Sequence, residues 1–226
     1  MKYHVFVDFD GTIAPVDTTD LLLERFADSS WQEIEEEWKA GRIGSRECLV
    51  RQIDLVRATP EELDDFIARI DIDPGFGAFM ALCRTNNLAT TVVSDGLDRT
   101  VNAVLKRHGF DLPYRANQLS FLGGDRWRLS FPHARSDCRA LSGNCKCQFA
   151  DAAVGHVRIV VGDGRSDYCV SEQADLVLAK GSLARHCRTL ELPHFEIASF
   201  AEATARLAAW LEEQAAQDGH PEMRDE

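Results

Sequence analysis

The chain contains no apolar run long enough to cross a bilayer and no cluster of Lys and Arg. The first absence excludes a helical membrane span. The second, with 37 acidic against 25 basic residues and a formal charge of −12, argues against tracking a nucleic-acid backbone and against anionic membranes. A small anionic substrate is still compatible, because a local site can invert the field around it. Nor does the N-terminal segment read as a leader peptide. After Met1-Lys2-Tyr3-His4 the apolar run is short, ends at Asp8 and carries no cleavage signal. Cysteines are not arranged in pairs: the seven present are odd in number and scattered. The expectation is a cytoplasmic protein with reduced thiols, free of nucleic-acid and membrane partners.

What the chain has is material for a core. Its 226 residues, 45% of them apolar, suit one core domain with a modest insertion. Residues 3–8 read as a buried strand that halts at carboxylates. The apolar spacing predicts a helix over 18–40, with Glu33, Glu35, Glu36 and Glu37 on a wet face, and a second over 45–57. Thr59-Pro60-Glu61-Glu62 is a helix start, with a cap residue, a proline at the first position and an early acid. Residues 16–72 therefore read as a helical insertion, 1–15 and 73–214 as the core, and 215–226 as a frayed tail. Beyond Pro74, helices (75–86, 98–108, 199–214) alternate with apolar runs at 88–93, 157–161, 175–178 and 195–197, and residues 117–131 suggest a hairpin around Gly123-Gly124. This is an α/β pattern with a mostly parallel, Rossmann-like sheet, in which ligands bind at the C-terminal strand ends.

Three strands end in Asp8, Ser94 and Asp163. Asp8-Phe9-Asp10-Gly11-Thr12 sets two carboxylates at i and i+2, which point the same way in extended chain and can divide labour as nucleophile and general acid/base. Capped turns use the same residue types. Gly162-Asp163-Gly164-Arg165-Ser166-Asp167 adds two carboxylates, four apart, where a helix begins. So many acids at one sheet end repel one another unless a cation lies between them, and oxygen-only ligands point to a hard ion such as Mg²⁺.

With these motifs in order, the sequence resembles the haloacid dehalogenase superfamily. The carriers are Asp8-x-Asp10-Gly11-Thr12, the strand-terminal Ser94 in Ser94-Asp95-Gly96, a lysine for which Lys146 is the best match and Lys180 the alternative, and Gly162-Asp163-Gly164-x-x-Asp167. The resemblance implies a Mg²⁺-dependent phosphatase working through an aspartyl phosphate on Asp8. It makes Asp10 the acid/base and the presence of that acid an argument for ester cleavage over dehalogenation. It further implies that Asp8, the main-chain carbonyl of Asp10 and Asp163 hold the metal and that Asp167 supports it or orients Lys146. Ser94, the adjoining Asp95-Gly96 backbone and Lys146 would then bind the phosphoryl oxygens.

In that superfamily a helical insertion after the first motif is a cap over the site. Its position resembles the phosphoserine phosphatase branch. Ser45-Arg46-Glu47-Cys48-Leu49, Ser142-Gly143-Asn144-Cys145-Lys146 and the hairpin resemble more closely the methionine-salvage phosphatases of 2-hydroxy-3-keto-5-methylthiopentenyl-1-phosphate. Asp17 reads either as a ligand for a substrate amine or as a helix N-cap, and Arg46 either as a contact for a substrate anion or as a solvated helix arginine. Cys138, Cys145 and Cys147 near His133 raise a zinc site, though the spacing lacks a C-x₂-C pair. Rival readings are a phosphotransferase or mutase and a non-catalytic phosphate binder. The expected partner is a small phosphorylated metabolite, with the chain acting as a monomer or homodimer.

Overall fold

The β-branched, apolar run near the start of the chain forms β1 (Lys2–Val7), and its burial on both faces puts it in the middle of a sheet. This architecture comes from a computed structural model of the chain, which describes residues 1–218. Along the chain after β1 come α1 (Thr18–Phe26), α2 (Trp31–Lys39), α3 (Ser45–Ile53), α4 (Pro60–Ile67) and α5 (Phe76–Thr85). They are followed by β2 (Ala89–Leu97), α6 (Asp98–Arg107), β3 (Tyr114–Gly123), β4 (Arg126–Ser130) and α7 (Cys147–Ala152). The remainder is β5 (His156–Gly162), α8 (Tyr168–Ser171), β6 (Leu176–Ala179), α9 (Gly181–Thr189), β7 (His194–Glu196) and α10 (Phe200–Asp218).

The seven strands form one sheet in the order β4-β3-β2-β1-β5-β6-β7, every pairing parallel except β3 with β4. The chain runs outward from β1 to one side through β2, then returns to fill the other side from β5. β1 is therefore the switch point, and a crevice opens beyond its C-terminal end. The sheet is α/β and Rossmann-like, as the alternation of elements predicts.

The local differences have physical causes. The helix expected over 18–40 is broken at Ala27, whose extended backbone sets up a bridge to Val56. The helix from Ser45 ends at Ile53, because the chain must turn so that Arg57 N–H can donate to the Phe26 carbonyl at 2.9 Å. Thr59 caps α4 as its sequence predicts, with Glu62 completing the reciprocal box. β2 runs four residues past the apolar run and slips register against β3 between Val93 and Leu97, which lifts Ser94-Asp95-Gly96 out of the regular ladder. α10 extends four residues past the expected end at 214, and residues 219–226 of the expected tail lie outside the described residues.

Two contacts lock the ends of the fold to its middle. Phe200 at the start of α10 sits in an aromatic cluster with Phe76 and Phe79, at centroid distances of 4.9 and 5.1 Å. Trp127 in β4 is buried and donates to the Ala58 carbonyl at 2.9 Å, so the hairpin props the helices of the insertion. Replacing Phe200 with alanine should lower stability in urea unfolding by about 3–5 kcal/mol. A loss below about 1 kcal/mol would mean that the cluster relaxes around the hole and contributes little.

Candidate active site

At the end of β1 the backbone N–H of Asp8 still bonds to Val161 O at 2.8 Å, so the sheet itself aims this residue. The chain then makes a wide turn over Phe9–Ile13, with Gly11 at φ +70°. A side chain on Gly11 would run into the Asp163 carboxylate, so the turn requires glycine for both backbone angle and space. Thr12 Oγ1 donates to Asp163 Oδ1 at 2.9 Å, joining the first motif to the last. Asp167 closes the second turn: its Oδ2 accepts the N–H groups of Asp163 and Gly164 at 3.2 and 3.3 Å.

Asp8, Asp163 and Asp167 each offer a carboxylate oxygen, and these lie within 4.8 Å of one another. Lys146 Nζ reaches Asp8 Oδ1 and Asp167 Oδ1, both at 2.7 Å, and Ser166 Oγ at 3.0 Å. It lies beside a small cavity walled by Phe6, Val93, Val160 and Val170. Burial acts to lower the Lys146 pKa, but the charges of Asp167 and Asp8 outweigh it and hold the ammonium well above its ordinary value. The carboxyl of Asp8 is pushed well up by burial and by the Asp167 charge, against the pull of Lys146. Asp163 is raised by burial and by Asp167. One ammonium in contact with two of three crowded acids leaves a shortage of positive charge. An all-oxygen donor set with that shortage fits a hard divalent cation.

Asp10 is turned to a different group of partners. Its Oδ1 accepts from Thr18 N–H at 2.8 Å and Thr18 Oγ1 at 2.5 Å, and its Oδ2 from Ser94 Oγ at 3.2 Å. Its carboxylate is thus not among the three clustered acids. Burial and the nearby charge of Asp17 raise its pKa to about 7, against those hydrogen bonds. Both protonation states are then accessible near neutrality, as an acid/base group needs. Gly96 N–H donates to Ser94 Oγ at 2.9 Å, and both carboxylate oxygens of Asp95 accept from protein donors.

The two candidate lysines separate by geometry. Lys180 Nζ lies 3.8 Å from Asp73 and 3.3 Å from Thr12 O, whereas Lys146 contacts Asp8 itself. Asp17 caps α1 through Thr19 and Asp20 N–H at 3.0 Å each, and it also lines the cavity beside Asp8 and Asp10. Arg46 does not line that cavity; its N–H donates to Leu141 O at 3.2 Å. The cysteines are free thiols, and among the described residues the only grouping of His, Cys, Asp or Glu spaced to hold a metal is the Asp8-Asp163-Asp167 set. Among the described residues no metal-spaced group includes His133 or the cysteines near it.

The helices of the insertion supply walls that sequence reasoning missed. Asp20, Glu35, Trp38, Ser45 and Gln52 line the cavity opposite the strand-end acids, and Arg165 stands with its guanidinium 5.1 Å from the Trp38 ring. Arg165 and Ser166 lie inside a recognised motif, so their position was visible. Ser45 opens a segment that the resemblance had marked, but the other wall residues had no such signal, since a helix face turned to a cavity has the same pattern as one turned to water.

A family model described as haloacid dehalogenase-like hydrolase matches residues 5–172. Among curated proteins, 2-hydroxy-3-keto-5-methylthiopentenyl-1-phosphate phosphatase of Brevibacillus brevis is 31% identical over 206 residues, 88% of this chain and 92% of its own. The protein of the same name from Geobacillus kaustophilus is 31% identical over 203 residues, 87% of this chain and 91% of its own. Among solved structures, a phospho-aspartyl intermediate analogue of phosphoserine phosphatase superposes with a TM-score of 0.68 at 22% identity, over 89% of this chain and 96% of that one. At that identity the likeness is one of fold.

A cation held only by the folded chain, at about 100 times its Kd, adds about 2.7 kcal/mol of stability. Wild-type protein should therefore show a higher Tm with Mg²⁺, and Asp163→Asn should lose most of the rise. An equal rise in both would remove Asp163 from the ligand set.

Proposed function

The chain belongs to the haloacid dehalogenase-like hydrolases, and on that premise we propose that it is a Mg²⁺-dependent phosphatase that forms an aspartyl phosphate on Asp8. That it is a phosphoric monoester hydrolase follows from the family and its phosphatase relatives. The observation carrying the residue roles is the contact of Lys146 with Asp8 at the end of the central strand, with Asp10 held apart near neutrality.

An ionised Asp8 oxygen attacks phosphorus as the bond to the ester oxygen breaks. Asp10, protonated, gives its proton to the departing alkoxide. A water then attacks the aspartyl phosphate, Asp10 takes the proton from that water, and phosphate leaves as the bond to Asp8 breaks. Lys146 favours the ionised form of Asp8 against burial and the neighbouring acids and offers charge to the phosphoryl oxygens, and the Ser94 hydroxyl with the Asp95-Gly96 backbone borders the same group. Mg²⁺, held by Asp8, Asp163 and the main-chain carbonyl of Asp10 with Asp167 in support, would supply the missing positive charge and polarise the phosphoryl group. Helices α1–α4 act as the cap that closes off water.

The substrate is small. A cavity of about 180 Å³ admits a metabolite rather than a polymer. The names of the relatives make 2-hydroxy-3-keto-5-methylthiopentenyl-1-phosphate the first candidate. Asp17, Asp20 and Glu35 on the cavity wall favour a second, an amino-bearing ester such as phosphoserine.

Phosphate release should be measured on both esters and on p-nitrophenyl phosphate, with Mg²⁺ and with EDTA, and without an added acceptor. Turnover should require Mg²⁺ and vanish in Asp8→Asn. Turnover surviving in that variant would exclude Asp8 as nucleophile. Product formed only with an added acceptor would instead identify a transferase. Lys146→Ala should lower kcat by about 10²–10³-fold with the fold intact by circular dichroism; near-normal kcat would move the role elsewhere.

A further inference from the structure

The segment after Ser94 carries a carboxylate that no step above uses. Asp95 is half-buried at the edge of the active-site cavity, and its two oxygens serve two different parts of the chain. Oδ2 accepts from Ser45 Oγ at 2.7 Å, at the first residue of α3 in the helical insertion. Oδ1 accepts from the backbone N–H of Asn144 at 2.8 Å, two residues before Lys146. Asn117 adds a third tie, its Nδ2 donating to the Asp95 main-chain oxygen at 2.5 Å and to Oδ1 at 3.2 Å.

The loop that carries Lys146 has no regular structure between β4 and α7, so its path depends on such bonds. Asn144 Nδ2 donates to Ser94 O at 2.7 Å and to Arg115 O at 2.8 Å. The side-chain oxygens of Asn117 and Asn144 are buried without partners, so both amides are oriented by their donors. Leu141, in the same loop, holds φ +48° and accepts from Arg46 N–H of α3 at 3.2 Å. A residue without glycine's freedom keeps such an angle only when its surroundings impose it. The insertion, the Ser94 strand end and the lysine loop therefore meet at one carboxylate.

We infer that Asp95 is a positioning residue, which ties the docking of α3 over the site to the placement of Ser94 and Lys146. This rests on the catalytic roles assigned to those two residues. Docking of the helices and delivery of the ammonium then form one cooperative arrangement, rather than two independent ones. Asparagine at this position can preserve it, since its oxygen can accept from Asn144 N–H and its amide can donate to the Ser45 hydroxyl.

The test is a set of four variants: Ser45→Ala, Asp95→Ala, Asp95→Asn and the double alanine variant. Ser45→Ala, which cuts only the tie to the insertion, should raise KM about tenfold and change kcat little. Asp95→Ala should raise KM and also lower kcat at least about tenfold. Asp95→Asn should stay within about threefold of wild type in both. The double variant should match Asp95→Ala, because Ser45 acts through the carboxylate. The inference is overturned by a kinetically silent Ser45→Ala, by losses that add in the double variant, or by an Asp95→Asn as impaired as Asp95→Ala. Hydrogen–deuterium exchange in protein without substrate gives a reading that needs no turnover. Exchange in residues 45–48 and in 141–146 should speed up together in Asp95→Ala and not in Asp95→Asn. If wild type hydrolyses no phosphomonoester, the proposed function fails while the exchange experiment still decides the tie; unchanged exchange in Asp95→Ala would refute it.

Discussion

The structure is organised around the cost of keeping like charges out of water. Asp8, Asp163 and Asp167 lie within 4.8 Å of one another, with Lys146 touching two of them at 2.7 Å. Charges 4 Å apart interact by about 4 kcal/mol at an effective dielectric constant of about 20. On that scale the repulsions among three acids roughly cancel the attractions of the one lysine. The desolvation of these groups, several kcal/mol for a buried ion, is then offset only in part by hydrogen bonds such as those from the Thr12 hydroxyl and the Asp163 and Gly164 N–H groups. The site thus carries a deficit that a divalent cation would remove, and the raised pKa values of Asp8 and Asp163 express the same deficit.

Holding such a cluster demands rigid supports, and the sheet provides them. β1 at the switch point delivers Asp8, and β5 beside it delivers Asp163 through a turn that Asp167 closes. β2, on the other flank, slips register to present Ser94. Lys146 is the exception, because it arrives on an irregular loop. That loop is fixed by side chains, through Asn144, Asp95 and the start of α3. The most demanding charge in the site therefore relies on the least regular segment of the core.

The division between family and specificity follows the same geometry. The clustered acids come from strand ends shared with haloacid dehalogenase-like hydrolases, to which residues 5–172 match. The opposite wall of the cavity comes from the helices between β1 and β2. The first carries the clustered acids, and the second carries Asp20, Glu35, Trp38 and Gln52.

Sequence alone determined the alternation of elements, the strand-end acids and the helix start at Thr59, because each is a local pattern of burial period, turn chemistry or capping. It left open whether Lys146 or Lys180 meets Asp8, since both follow plausible contexts and nothing local states where a loop lands. It could not reveal the break at Ala27, set by a bridge to Val56, or the short α7 and α8. Nor could it show what the Asp95 carboxylate meets, since its partners at 45, 117 and 144 are brought together only by the sheet and the insertion. Local propensity writes the strand ends into the sequence; contacts between residues far apart in the chain exist only once the sheet has closed around them.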